Sequence, residues 1–254
     1  MCDVGELVVS PTVRVLDDEA QLAQRAAEAI ELGAAEAIDR RGRFHWALAG
    51  GGTPKRTYRV LAGPPHRETF PWNRLDAWIG DERIVPGNDP ASNRRMILEH
   101  LLWPAGADTS ALHAFDTESG DPDAAARSYA DQLAARVPGN ADGVPVLDLV
   151  LLGLGTDAHT ASWFPGSRFC AGETVAVVDE EHAGYRRLTL TPAIVNAARQ
   201  VLFLVAGASK QDALRRVLLG PSDPLAIPAQ RVAPTGGRLT WMLDRDAAGQ
   251  FFAD

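Results

Sequence analysis

Residues 147–152 read LDLVLL, apolar except for Asp148, and Gly153 closes the run. A short apolar run ended by glycine reads as a strand covered on both faces, the habit of a parallel sheet between layers of helices. This reading constrains the fold most, because such a strand needs neighbours on both sides and helices above and below. Gly153 and Gly155 then allow a sharp turn and a close approach of backbone to a ligand. Asp157, His159, Thr160 and Ser162 follow at once. Open α/β sheets bind ligands beyond the carboxyl ends of their strands. An acid, an imidazole and two hydroxyls therefore stand where such folds keep their chemistry.

The rest of the chain alternates in the same manner. Strands are expected at residues 6–16, 44–49, 75–80, 112–115, 200–206 and 239–243. Helices are expected at 19–38, 90–102, 121–136 and 209–218, with a short one after 243. Asp17 and Asp18 can cap the first of these, and Asn88 or Asp89 the second. Residues 174–178 and 186–191 read as an antiparallel pair of strands, and Thr191 with Pro192 as a helix cap and first position. Together these elements predict a three-layer α/β/α fold with a mostly parallel, Rossmann-like sheet. One domain is expected to span residues 1–254.

The strand at 44–49 runs into Gly50, Gly51, Gly52, Thr53 and Pro54. Thr53 suits an N-cap and Pro54 the first helical turn. A glycine loop leading into a helix N-terminus can bind an anion; it can equally be a tight turn with a capped helix. The loop lacks the lysine of GxxxxGK[ST] and is not GxGxxG, so neither nucleotide fingerprint applies. Asp81, Glu82 and Arg83 end the next strand, either as acid/base and anion-binding groups or as a solvated ion pair. Lys210 falls in the first turn of a helix, where the dipole disfavours cations. It either faces a bound anion or is simply exposed. Convergence of these loops on the 153–162 turn would make a single cleft.

The formal net charge of -8 argues against a general nucleic-acid surface. Any anionic substrate must then be drawn by a local basic cluster. Cys2 and Cys170 have no metal-ligand spacing and suggest free thiols in a reducing compartment. Neither a signal-peptide pattern nor an apolar membrane-spanning run is apparent. A soluble, cytoplasmic monomer or small homo-oligomer is expected.

Four segments resemble the 6-phosphogluconolactonases, a family within the wider group that includes glucosamine-6-phosphate deaminase. They are LAGGGTP at 48–54, GDERIVP at 80–86 with SNRRM at 92–96, GLGTDAHTASWFPG at 153–166, and RRLTLTPAIVNAARQVLFLVAGASK at 186–210. The resemblance implies hydrolysis of 6-phosphoglucono-δ-lactone to 6-phosphogluconate in the pentose phosphate pathway, with neither metal nor organic cofactor. It makes His159 the general base, since imidazole titrates near neutral pH, and Asp157 its orienting partner. It places phosphate at Gly51, Gly52 and Thr53, with Arg83, Arg187 and Lys210 as cationic partners. Backbone N–H groups near the glycine turns, or an arginine, would receive the oxyanion.

The sequence departs from the family at Ala158, where glycine is usual. If that backbone needs positive φ, alanine costs about 1 kcal/mol or more. Trp163 replaces a smaller apolar residue and reads as a packing change. A deaminase would need a carboxylate base, for which Asp81 could serve, but the chain has Arg83 in place of that group's tyrosine. It also has Ser162, Trp163 and Phe164 where that group carries a glutamate, so Asp81 and Glu82 read as structural. A DNA-binding sugar-phosphate regulator is disfavoured because no helix-turn-helix precedes residue 44. A catalytically dead binding protein is a further alternative, motivated by Ala158. His45, His66, His100, His113 and His182 have no motif around them and read as core or surface residues.

Overall fold

The computed structural model describes residues 11–252; Cys2 and positions 6–10 of the expected first strand lie outside the described residues. In chain order the strands are β1 (Thr12–Leu16), β2 (Phe44–Leu48), β3 (Leu75–Ile79), β4 (Asp81–Arg83) and β5 (Leu112–His113). They continue with β6 (Leu149–Leu152), β7 (Val175–His182), β8 (Tyr185–Leu190), β9 (Gln200–Val205) and β10 (Arg238–Asp244). Seven of them form one sheet in the order β1-β10-β9-β6-β2-β3-β5, with every neighbouring pair parallel. Helices surround it, as the alternating sequence required.

Every residue of β2 and of β6 is buried. Successive strand side chains point to opposite faces, so both faces of the sheet are covered at its centre. The helix α1 (Glu19–Arg41) presents Leu22, Ala26, Ile30, Ala34 and Ala37 inward, a spacing of three to four residues. Its N-terminus is capped by Asp18, whose carboxylate accepts the Gln21 N–H at 2.8 Å. Asp148, the acid inside the apolar run, lies just ahead of β6. It accepts the His45 N–H and the Arg41 Nε–H, both at 2.8 Å, and so ties the starts of β2 and β6 together.

The path of the chain decides where a ligand can sit. It moves outward from β2 to β3 and β5, then returns to β6 on the other side of β2 and continues to β9 and β10. The direction reverses between β2 and β6, and at such a switch point the following loops splay apart and open a crevice.

A second, antiparallel sheet of order β4-β8-β7 stands beside that crevice. The chain enters it at Gly80, whose N–H donates to the Leu48 carbonyl at 2.9 Å and whose carbonyl accepts the Leu190 N–H at 2.8 Å. A Cβ at Gly80 would lie 3.0 Å from the Leu48 oxygen, so this crossing favours glycine. The β7–β8 hairpin is the antiparallel pair expected from sequence. The pairing of β4 with β8 was not expected, because three residues carry too little pattern.

Several local expectations need correction. The helix predicted at 90–102 begins instead as Asn93–Ile97, continues through a π-type turn at Leu98–Leu102, and ends at Trp103–Ala105. Its cap is Ser92, which accepts the Arg95 N–H, and not Asn88 or Asp89. Asp89 is spent on the preceding turn, accepting from Ala91. Thr191 precedes Pro192 as predicted, but its hydroxyl donates to the Glu173 carbonyl and caps no N–H. Among the described residues no helix is long and apolar enough to cross a membrane.

Candidate active site

A cleft of about 560 Å³ opens at the switch point. Its walls are the loops after β2, β3, β6 and β9, together with the β7–β8 hairpin. All eight residues to which the resemblance gives a role (Asp157, His159, Gly51, Gly52, Thr53, Arg83, Arg187 and Lys210) line it; Thr160 and Ser162, expected beside them, are fully buried and donate to the Gly153 carbonyl and to Asp81.

The turn after β6 sets the first pair. The Gly155 N–H donates to the His159 carbonyl at 2.8 Å, and the Ala158 N–H donates to the Gly155 carbonyl at 3.1 Å. This coil brings His159 Nδ1 within 2.6 Å of Asp157 Oδ1. The Asp157 carboxylate also accepts the His159 backbone N–H at 3.1 Å. Burial opposes ionisation of Asp157, but that N–H and the imidazole outweigh it and hold its carboxyl below the usual range. The acid fixes the ring through one nitrogen and leaves the other free to act.

Ala158 sits at φ 70°, the left-handed conformation in which glycine would be unstrained. Its methyl is fully buried. Trp163 is likewise fully buried, and its indole N–H donates to the Leu190 carbonyl at 2.7 Å. The ring is part of the core, and its N–H satisfies a carbonyl at the end of β8. Phe164, next in sequence, tilts against the His159 ring with centroids 4.8 Å apart.

On the opposite wall the glycine loop departs from expectation. The helix α2 (Gly52–Leu61) starts at Gly52, and Gly51, at φ 100°, takes the cap position without any side-chain bond. Thr53 is therefore a helical residue and not the cap. Pro54 has no N–H to offer, so the free donors of this terminus are the backbone N–H groups of its first residues. Gly50 is bare for a separate reason: a Cβ there would lie 2.2 Å from Asn93 Oδ1.

Asn93 went unnoticed as a site residue, and its role is clear from its bonds. Its Oδ1 accepts from Arg83 Nη1 at 2.6 Å, and its Nδ2 donates to the Asp81 carbonyl at 2.7 Å. Arg83 donates also to the Ala91 carbonyl. Arg187, opposite Arg83 in the β4–β8 register, donates to the His182 carbonyl at 3.2 Å. Every acceptor of these two guanidinium groups is a neutral oxygen, and each Nε is buried with no partner among the described residues. Burial lowers the Arg187 pKa, and the facing Arg83 charge lowers it further. Lys210 ends a 3₁₀ turn, Ala208–Lys210, just ahead of the helix Gln211–Leu219 rather than within its first turn. Burial lowers its pKa against the pull of Asp157. Three cations without a carboxylate partner among the described residues make a local basic field in an acidic protein.

The two acids of the β4 stretch, which read from sequence as structural, are both engaged in hydrogen bonds within the protein. Glu82 is buried and accepts the backbone N–H groups of Arg83, Asn93 and Arg94 and the Ser92 hydroxyl. Asp81 Oδ2 accepts the Ser162 hydroxyl at 2.7 Å. His182, read from sequence as a core or surface residue, belongs to the cleft wall and stacks on Phe164. No motif surrounds it; only the pairing of β7 with β8 brings it to the site.

Comparison with known proteins places the chain in a family. Residues 17–241 match the family model described as glucosamine-6-phosphate isomerases/6-phosphogluconolactonase. A 6-phosphogluconolactonase of Synechocystis sp. is 39% identical over 242 residues, covering 94% of this chain and 98% of that protein. One of Streptomyces coelicolor is 35% identical and covers 95% of each. The solved structure of 6-phosphogluconolactonase from Trypanosoma brucei superposes with a TM-score of 0.82 at 31% identity, covering 94% of this chain and 98% of that one. The matches run through both sheets and all four cleft loops, and the chain belongs to the glucosamine-6-phosphate isomerase/6-phosphogluconolactonase family.

Proposed function

We propose that the chain is a 6-phosphogluconolactonase, hydrolysing 6-phospho-D-glucono-1,5-lactone to 6-phospho-D-gluconate. The observation that carries this reading is that the His159–Asp157 pair shares one cleft with three cations that form no ion pair among the described residues. The relatives named 6-phosphogluconolactonase support the same substrate.

The phosphate group is held by Arg83, Arg187 and Lys210 and by the α2 terminus at Gly51, Gly52 and Thr53. Arginine offers a fork to phosphate oxygens and lysine a point charge, and the helix terminus adds N–H donors. His159 takes a proton from water through the nitrogen that Asp157 leaves free. The resulting hydroxide attacks the lactone carbonyl, and the tetrahedral oxyanion collapses with loss of the ring oxygen. That oxygen leaves as the alcohol once the imidazolium returns the proton. Asp157, kept ionised, stabilises the imidazolium between the two transfers.

A deaminase would use Asp81 as a free base. Here the Ser162 hydroxyl donates to that carboxylate at 2.7 Å, so Asp81 is already engaged within the protein, which favours the lactonase reading. The direct test is hydrolysis of freshly generated lactone, followed by a coupled dehydrogenase, with the spontaneous reaction subtracted. A clear acceleration that disappears in His159→Ala is expected. A folded protein with no acceleration, or a fully active His159→Ala, would overturn the reading.

A further inference from the structure

His182 is the last residue of β7, and its register partner across the hairpin is Tyr185. The two turn residues, Ala183 at φ 54° and Gly184 at φ 80°, both adopt the left-handed conformation of a tight two-residue hairpin. That turn fixes which way His182 faces, and it faces the cleft. Its ring lies flat on Phe164, with centroids 3.5 Å apart and planes 14° from parallel. The Arg187 guanidinium carbon stands 5.4 Å from the centre of the same Phe164 ring. One aromatic side chain thus supports His182, Arg187 and His159.

His182 Nε2 is buried and has no hydrogen-bond partner among the described residues. The nearest carboxylate oxygen among the described residues, from the exposed Glu180, is 3.9 Å away, too far for a hydrogen bond. Arg83 Nε and Arg187 Nε share this condition. The three nitrogens come from β4, β8 and β7, the three adjacent strands of the small sheet. Buried donors without acceptors are costly, and most proteins satisfy them. Three such donors on neighbouring strands of one cleft wall suit a ligand that brings several acceptor oxygens at once.

We infer that His182 is a substrate-binding residue which, beside Arg83 and Arg187, donates Nε2–H to the phosphoryl group of a sugar phosphate. This rests on the phosphate-ester reading of the cleft. It adds a donor on the hairpin side of the site and sets preference for phosphorylated over unphosphorylated lactones.

The experiment uses two substitutions with different losses. His182→Phe keeps an aromatic ring to stack on Phe164 and removes the donor; His182→Gln keeps a donor and removes the ring. For each, KM and kcat are measured with 6-phosphoglucono-δ-lactone and with glucono-δ-lactone. Affinity for 6-phosphogluconate and for inorganic phosphate is measured by calorimetry. His182→Phe is expected to weaken 6-phosphogluconate binding about tenfold or more. The preference for the phosphorylated lactone should fall by a similar factor, and His182→Gln should regain part of the loss. Binding by His182→Phe within twofold of the parent would overturn the inference, as would an equal loss with both lactones, which would mark a packing role. Calorimetry needs no turnover, so the two readings fail separately. A parent that binds 6-phosphogluconate without hydrolysing lactone sinks the lactonase reading, and His182→Phe binding still decides this one. A parent that binds neither probe overturns both.

Discussion

A Cβ placed on Gly155 would stand 2.1 Å from Nδ1 of His159 and 2.6 Å from Oδ1 of Asp157. The acid–imidazole pair is seated on bare backbone. Gly155→Ala should therefore swing the ring away while leaving the buried strand behind it intact. Displacing a reacting group by about 1 Å can cost on the order of 100-fold in rate. The expected result is a loss of that order in kcat with a melting temperature close to the parent's. A parent-like kcat would show that the pair's position is not what the turn provides.

Asp157→Asn tests the pair itself. The substitution removes the charge that steadies the imidazolium and offers the ring the wrong partner, so kcat should fall by about 10²–10⁴. The wild-type rate should show no loss attributable to Asp157 until the pH drops below the usual carboxylate range, because its pKa is lowered. The sign for stability is the same: a lowered folded pKa contributes stability above the unfolded value and loses it as pH falls through the folded one. A pH–rate profile of both proteins checks this. An Asn variant with the parent's kcat would remove Asp157 from the mechanism.

Ala158→Gly should change little, for reasons that oppose each other. Glycine relieves the strain of a φ of 70°, about 1 kcal/mol or more. It also gives up a fully buried methyl, about 0.8 kcal/mol, and frees the unfolded chain by about 0.4–1 kcal/mol. Unfolding free energy in urea should stay within about 1 kcal/mol of the parent, with kcat within a factor of two. A gain well beyond that would show that the alanine is held at a real cost to the site.

The three cations should act on binding. Replacing Arg83, Arg187 or Lys210 by a neutral residue of similar length should raise KM about tenfold or more each, with smaller effects on kcat. Because the two arginines lie opposite each other in one register, their effects should not add. KM values unchanged in all three variants would place the phosphate elsewhere.

The sequence made the central sheet legible because its inner strands are short apolar runs followed closely by glycine. The run at 147–152 and the FHWAL segment of β2 declare burial on both faces by composition alone. The turn that carries Asp157 and His159 was legible through its residue types, and the resemblance named the cations that line the same cleft. What stayed hidden depends on long-range pairing. Nothing local announces that Arg83 will face Arg187 across β4 and β8, or that His182 will reach the cleft through a hairpin. Thr53 misled because its cap-like chemistry was overridden by Gly51, whose positive φ starts the helix earlier. Asn88 and Asp89 misled for a similar reason, since the cap was supplied by Ser92 and by Glu82 from another strand.

Glu82 is where fold and site meet, and it gives the sharpest stability test. Its carboxylate takes three backbone N–H groups and a hydroxyl at 2.7–3.1 Å, joining β4 to the start of the Asn93 helix. Burial raises its pKa, the three N–H groups lower it, and the nearby Asp81 charge adds to the raise, so the net shift is upward. A folded pKa above the unfolded one means that the folded state holds the proton to higher pH. That contribution is complete below the unfolded carboxyl value, about 4.3, and is lost as pH rises through the folded value. Glu82→Gln cannot titrate, and it also turns an NH₂ toward groups that donate. It should lose about 1–3 kcal/mol, and the parent's advantage in urea unfolding should shrink as pH rises through that window. An advantage that grows with pH would mean that the four donors hold the carboxylate as an anion and that burial does not win. Since Asn93 also carries Arg83, the same variant should raise KM several-fold; a KM unchanged despite lost stability would separate the cap from the phosphate wall.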